Sequence, residues 1–377
     1  MILALLSVTA AANAKKAPAS QQALREIIRT CAPDSREAVT EVTVSGGKVP
    51  VLSGAVSEAE IKDRILMRAF ERGIRVVDSI RVLPDDRWAQ VRISVANMRT
   101  KPGHASEMAS QLIMGTPVRV LESNGSWWRV QGPDGYIAYV IDNSLVPKTT
   151  DEIKNWKNDA SRAVVTSRYQ VRAYATPTTD NPREVVTDLV NGSIVSTGAV
   201  VEGRTHVVLP DGRVGWVDSG ALTPISEWAS QEFDADHILD MAYSMEGQPY
   251  LWGGTSTKSL DCSGLSKVSY LSNGIILMRD ASQQATTGQR IEPSDALRDC
   301  RAGDLLFFGN PDTGRVTHVA IYDHDGHYVH SSGRVKRNSI DPTDPTYLST
   351  PFLHAVRIHG NEGTRGITRA KDHPWYF

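Results

Sequence analysis

Cysteine is scarce in this chain: Cys31, Cys262 and Cys300 are the three present in 377 residues. An odd count argues against a disulfide framework, and without a CxxC spacing there is no zinc knuckle. A dominant charge sign is lacking as well. Lys and Arg number 41 and Asp and Glu 43, a formal net charge of −2, so nothing argues for a nucleic-acid binder. Long apolar runs are missing too. No stretch reaches the ~18 apolar residues that span a bilayer. What remains, 40% hydrophobic and 22% charged residues, is the composition of a globular protein long enough for two to four domains. Nothing in it indicates an oligomer.

The first residues, MILALLSVTAAANAKK, hold a short apolar run, Ile2 to Leu6, and then small residues ending in Ala12-Asn13-Ala14. That A-x-A pattern makes residues 1–14 an expected export signal, and the protein periplasmic or secreted. A basic n-region is missing, so the signal is either weak or begins upstream; a disordered tail is the alternative. No cysteine follows the cleavage site, so a lipid anchor is not indicated.

Residues 20–87 read as a small α/β unit. A helix covers Gln21 to Thr30, and TEVTVSGGKVPVLSGAVS alternates around Gly46-Gly47 as a hairpin. Ile61, Ile65, Leu66 and Ala69 share one helical face that ends at Gly73, and IRVVDSIRVL is a further strand. This strand–helix–strand pattern resembles the BON-type domain of envelope proteins.

An internal repeat follows. Gly115, Asp134-Gly135, Tyr139, Leu145 and Pro147 recur 77 residues later as Gly192, Asp211-Gly212, Trp216, Leu222 and Pro224. Each copy is a set of short alternating strands with turn signals, the pattern of a small β-barrel. The copies, 88–148 and 160–225, resemble bacterial SH3-like domains, and the polar stretch TTDEIKNWKNDASR between them is a linker or short helix. From 230 to 377 the composition changes to a cysteine-bearing helix followed by histidine-bearing strands, an α+β domain.

In SLDCSGLSKVSYLSNG, Leu265, Val268 and Leu271 form a helical stripe that Asn273-Gly274 stops. Cys262 therefore sits in the first helical turn, where unpaired N–H groups and the helix dipole favour thiolate. A small buried apolar cysteine is the alternative, and the partners decide. A nucleophile needs a base, and the base an orienting group. THVAIYDHDGHYVHSS supplies both. His318 starts a strand, DHDG turns the chain, and HYVHSS returns. With a short loop Ala320 lies opposite His330, and His318 and His330 become diagonal neighbours about 7–8 Å apart along the backbone. A thiolate–imidazolium pair would lower the Cys262 pKa further. His324 and His327 fall at the turn and are expected in solvent. A zinc site from His324, His327 and His330 is disfavoured, because neighbouring strand residues alternate faces and no acidic or cysteine ligand joins them.

PYLWGG, DCSGL, GDLLFF, THVAIY and YVHSS, in that order, resemble the NlpC-type cell-wall cysteine peptidases of the papain-like superfamily. With the SH3-like repeats the resemblance covers about three quarters of the chain. RDASQQ, from Arg279 to Gln284, narrows it to the γ-D-glutamyl-L-diamino acid endopeptidases that trim peptides bearing a free N-terminal L-alanine. The resemblance implies Cys262 as nucleophile, His318 as base, His330 as the orienting third member and Tyr250 at the oxyanion site. It implies that Asp261 fixes the loop and faces substrate as well as capping its helix, and that Ser263 contacts the peptide. It implies that Asp280 pairs with the substrate's α-amine, and that Glu107 and a tyrosine of the first SH3-like domain close the amine pocket. Tyr139 aligns with Trp216 and reads as barrel core; Tyr136 aligns with Arg213, an outward position, and is preferred. The expected architecture is a small α/β unit, two SH3-like β-barrels and a papain-like α+β catalytic domain. The expected activity is cofactor-free hydrolysis of peptidoglycan-derived peptides. Hydrolysis of intact wall stems, non-catalytic wall binding and transfer of another acyl group are the rivals.

Overall fold

The computed structural model describes residues 19–377, so the expected export signal lies outside the described residues. The chain divides into two units, one ending at Leu83 and one from Pro84 to Phe377. In the first, Thr40–Ser45 pairs antiparallel with Val51–Val56, which pairs parallel with Val77–Val82. A parallel pair needs a crossover, and helix Ala59–Glu71 supplies it. Its buried face, Ile61, Ile65 and Ala69, packs with Leu24 and Ile27 of helix Ala19–Cys31 and with Leu52 and Ile80 of the sheet. Cys31 is part of that core.

The second unit opens with two seven-stranded sheets. With the strands of each sheet counted in chain order, both run 7-1-4-5-6-2-3. Strands opening at Pro117, Trp127 and Ile137 have counterparts opening at Ile194, Arg204 and Val214, each 77 residues on. The sequence repeat is thus a repeat of topology. Helix Thr150–Lys157, capped by a reciprocal Thr149–Glu152 box, joins the copies.

The repeated residues also do the same work at domain contacts. Asp134 Oδ1 accepts the Tyr136 N–H at 3.1 Å, and Asp211 Oδ1 accepts the Arg213 N–H at 3.2 Å, so each Asp-Gly turn is built alike. The other oxygen of each carboxylate reaches the next domain. Asp211 Oδ2 accepts from Arg92 of the first SH3-like domain at 2.9 Å, and Asp134 Oδ2 accepts from Lys267 of the cysteine helix at 2.8 Å. Gly115 shows why a glycine recurs at its position. Its φ is +84°, and a Cβ there would lie 2.2 Å from the Ile194 carbonyl of the second domain.

The remaining residues form the α+β domain. Its six-stranded sheet runs Gln289–Ile291, Phe352–Arg357, Leu305–Asn310, Arg315–Tyr322, His327–Ser332, Arg334–Ser339. Helix Cys262–Ser272 packs Leu265 and Val268 into a core with Leu305, Phe307, Val319, Ile321 and Val329. The first SH3-like domain is fastened to this domain at several points. Gln111 Oε1 accepts from the Thr255 N–H and the Ser256 hydroxyl, both at 2.9 Å. His373 Nε2 lies 2.8 Å from the Pro133 carbonyl, and Tyr376 of the C-terminal tail is buried with Trp228 and Ile276. Among the described residues no helix is long and apolar enough to cross a membrane.

The side chains of Lys267 and Asp134 are 11% and 10% exposed, so their pair is desolvated. Lys267→Ala strands the carboxylate, and chemical denaturation is expected to show a loss of roughly 3–5 kcal/mol. A Lys267→Met, Asp134→Asn double variant, which keeps an oxygen for the Tyr136 N–H, is expected to recover most of it; equal loss in both would contradict the desolvated-pair account.

Candidate active site

Cys262 opens its helix, and Asp261 is the N-cap. Asp261 Oδ1 accepts the Gly264 N–H at 2.7 Å, and Oδ2 accepts the Gly253 N–H at 2.9 Å. One carboxylate therefore fixes both the helix start and the preceding glycine loop. That loop passes so close that a Cβ on Gly264 would lie 1.9 Å from the Gly254 carbonyl, which accounts for the glycine in DCSG. Beneath them lies Arg279, 1% exposed. Its guanidinium donates to both oxygens of Asp261, and to Ser263 Oγ at 2.8 Å. The sequence reading did not single out Arg279. Its place in RDASQQ was visible, but its burial depends on a carboxylate 18 residues earlier.

Both neighbours of Cys262 are tied to Arg279. Ser263 is 4% exposed, and its hydroxyl accepts from Arg279 and donates to Asp261 at 3.2 Å. Asp261, 5% exposed, is held by the cap, the loop and Arg279, so it organises the site from behind.

The histidines sit as the alternation requires. Ile321 pairs with Val329 and Tyr322 with Tyr328, a register that sets Ala320 opposite His330. His318 Nε2 and His330 Nδ1 are 2.7 Å apart, and His330 Nε2 is 2.9 Å from Asn338 Oδ1. Asn338, one strand further on, was not anticipated; nothing in KRNS marks it. His324 bonds to Asp323, and His327 pairs with Asp344 at 2.9 Å. His324 is exposed as expected, but the His327 side chain is only 16% exposed because it packs on that pair. His324, His327 and His330 each turn to a different partner.

The backbone N–H of Val319, the residue after His318, points at the Cys262 sulfur, as does that of Ser263. Both lower its pKa, but burial and the adjacent Asp261 carboxylate outweigh them and push the thiol up to about 11. Burial, then His330 and Lys336, hold His318 down to about 3; burial holds His330 down to about 4. Both directions run against the expected resting thiolate: desolvation disfavours the charged form of the thiol and of the imidazole.

Tyr250 is held by its N–H to the Gly333 carbonyl at 2.9 Å and by a bridge to Leu260. Burial and the nearness of Cys262 raise its hydroxyl pKa, so it stands protonated beside the sulfur as a donor. Two residues on, Trp252 donates its indole N–H to Glu107 Oε1 at 2.8 Å. Glu107, from the first SH3-like domain, thus reaches the loop that carries Tyr250. Tyr136 of the same domain lies within electrostatic reach of Arg279, as does Asp280. The burial of the two candidate tyrosines is the reverse of that expected. Tyr136 is 8% exposed, packed in the core of its own barrel with Val91, Met98 and Val130, whereas Tyr139 is half-buried with Arg129 over its ring at 5.7 Å.

The NlpC/P60 family model matches residues 247–357, and the bacterial dipeptidyl-peptidase SH3 domain matches 98–145. A dipeptidyl-peptidase 6 of Lysinibacillus sphaericus is 30% identical over 263 residues, 67% of this chain and 92% of the relative. The chain belongs to the NlpC/P60 family. A γ-D-glutamyl-L-lysine dipeptidyl-peptidase of Bacillus cereus is 25% identical over 70% of this chain and 80% of its own length. The crystal structure of an NlpC/P60 family protein from Bacillus cereus shares the fold, with TM-score 0.60 and 21% identity over 72% of this chain and 99% of that one. As an NlpC/P60 protein the chain is a cysteine peptidase with an SH3-like domain before its catalytic domain.

The pKa directions fix a pH profile. If His318 is the base, activity needs it unprotonated, and its pKa is depressed to about 3, so the acid limb falls well below neutral. The thiol at about 11 places the alkaline limb high. kcat/KM measured against pH is expected to be flat from about 5 to 9; an acid limb at the ordinary imidazole value of about 6.5 would refute a neutral, desolvated base.

Proposed function

We propose that this cysteine peptidase hydrolyses cell-wall peptides at the bond between γ-D-glutamate and an L-diamino acid, and that it selects peptides with a free N-terminal L-alanine. The observation that carries the reading is the contribution of the first SH3-like domain, whose Glu107 bonds Trp252, two residues from Tyr250, and whose Tyr136 lies within electrostatic reach of Arg279. An SH3-like domain in that place is a wall of the cleft. Glu107 and Asp280 are the carboxylates that receive the α-ammonium, and Tyr136 closes the pocket. The names of the Lysinibacillus and Bacillus relatives support the same class of reaction.

The Cys262 thiol loses its proton to His318 as the sulfur attacks the γ-carbonyl. Tyr250 and the Cys262 backbone N–H hold the oxyanion. His318 returns the proton to the departing amine, and water, deprotonated by the same imidazole, resolves the thioester. A carboxylate pocket pairs with an ammonium but not with an alanine nitrogen acylated by muramic acid. Intact stems are therefore poor substrates and released fragments good ones, which fits a role in turnover outside the cytoplasm after export through residues 1–14.

Mass spectrometry on L-Ala-γ-D-Glu-L-Lys and its diaminopimelate counterpart, free and N-acetylated, tests this. Cleavage of free peptides alone, absent in Cys262→Ala, is expected. Glu107→Gln removes one charge-assisted contact of about 1.5–3 kcal/mol, so kcat/KM on the free peptide is expected to fall roughly 10- to 100-fold. Equal cleavage of free and acetylated peptides would leave the peptidase and remove the amine pocket.

A further inference from the structure

Asn338 is the last atom group in the line that leads to the base. Its Nδ2 donates to the Thr346 carbonyl at 2.8 Å, so the oxygen is the end turned to His330, 2.9 Å from Nε2. An amide oxygen only accepts. His330 must therefore carry its proton on Nε2, and a neutral ring then has a lone pair on Nδ1. His318 Nε2, 2.7 Å from that lone pair, must donate, which leaves the lone pair of neutral His318 on Nδ1. Nδ1 is then the nitrogen able to take the thiol proton.

We propose that Asn338 is a positioning residue that selects the tautomer of both histidines and so keeps the base nitrogen of His318 unprotonated. The proposal rests on the reading of Cys262 and His318 as nucleophile and base, and adds a fourth group to their relay. Lys336, paired across the strands with His330, is the charge felt by both rings, and Tyr328 stands edge-on to His330 at 5.1 Å. A cation beside the rings opposes imidazolium, so a neutral acceptor suffices to hold the line. A carboxylate at 338 would act differently. It would stabilise a doubly protonated His330, whose Nδ1–H would donate to His318 Nε2. Neutral His318 would then carry its proton on Nδ1 and could not accept another from the thiol.

The test needs no peptide substrate. Alkylation of Cys262 by iodoacetamide, followed by mass spectrometry against pH, reads the nucleophile and base directly. Asn338→Asp is expected to acquire an acid limb between roughly pH 5 and 7, since an opposite charge at this distance raises a pKa by about 1–3. Above that limb its rate is expected to recover. Asn338→Ala is expected to lose roughly 10- to 100-fold at all pH values without a new limb, because the tautomer is no longer fixed. Nitrogen-15 shifts of the histidine rings in the unmodified protein give a second reading: Nε2 protonated and Nδ1 bare in both His318 and His330 is expected. The opposite tautomers, or an Asn338→Asp profile that overlays the wild type, would overturn the proposal. Absence of selective Cys262 alkylation in the wild type would overturn the nucleophile assignment itself, a distinguishable result.

Discussion

The catalytic end is arranged around one buried cation. Arg279 is out of water, and a lone guanidinium there would cost several kcal/mol. Asp261 and Ser263 hydrogen-bond to it and the Asp280 charge favours it; the first two flank Cys262, one before it and the other after. The bidentate geometry of arginine and carboxylate fixes angles as well as distances. Because Asp261 also accepts from Gly253 and Gly264, a change at Arg279 would reach the glycine loop, the helix start and Tyr250 together. The aspartate beside the nucleophilic cysteine is thus an anchor, and the electrostatics say the same. Its charge raises the thiol pKa, the wrong direction for activating a thiolate.

The parts of this arrangement legible in sequence are those set by local periodicity. Leu265, Val268 and Leu271 mark a helix, and a stop at Asn273-Gly274 places Cys262 in its first turn. Alternation across a short DHDG turn fixes the register of His318 and His330 without knowledge of anything else in the fold. The repeat offset of 77 is legible for the same reason, since equal turns at equal spacing imply equal topology. What was hidden depends on packing between distant segments. Tyr136 and Tyr139 can be assigned to a repeat position, but which is buried is decided by how the strands of their own barrel pack around them. Arg279 is a common surface residue type until Asp261 is placed beneath it. Asn338 belongs to a strand whose sequence, RVKRNS, reads as solvent-facing. The thiol pKa is a property of desolvation, and no sequence pattern reports that.

The pKa directions at Cys262 and His318 both weigh against a resting ion pair. Separating charge between Cys262 and His318 before substrate arrives would require solvation that the site does not provide, with Lys336 already opposing a second cation. In the proposed mechanism a neutral pair with a fixed tautomer avoids that cost and delays charge until the substrate carbonyl can take it up. The oxyanion donors then meet a charge that exists only during reaction, the condition under which fixed dipoles favour the transition state over the ground state.

The SH3-like repeat fits the same economy of position. A module that only tethers an enzyme to a polymer can sit on a loose linker. Recognition of an ammonium by carboxylates from two domains cannot, because a misplacement of about 1 Å forfeits much of the interaction. The first domain is accordingly bound by the desolvated Asp134–Lys267 pair, by Gln111 and by the C-terminal tail at Pro133. The second docks on the first through the equivalent Asp211 turn and the Gly115–Ile194 approach, and so braces it from the far side. Duplication of one turn solved both docking problems. The domain held from two sides is the one that brings Glu107 to the loop carrying Tyr250, the fixed placement that the proposed recognition of an ammonium requires.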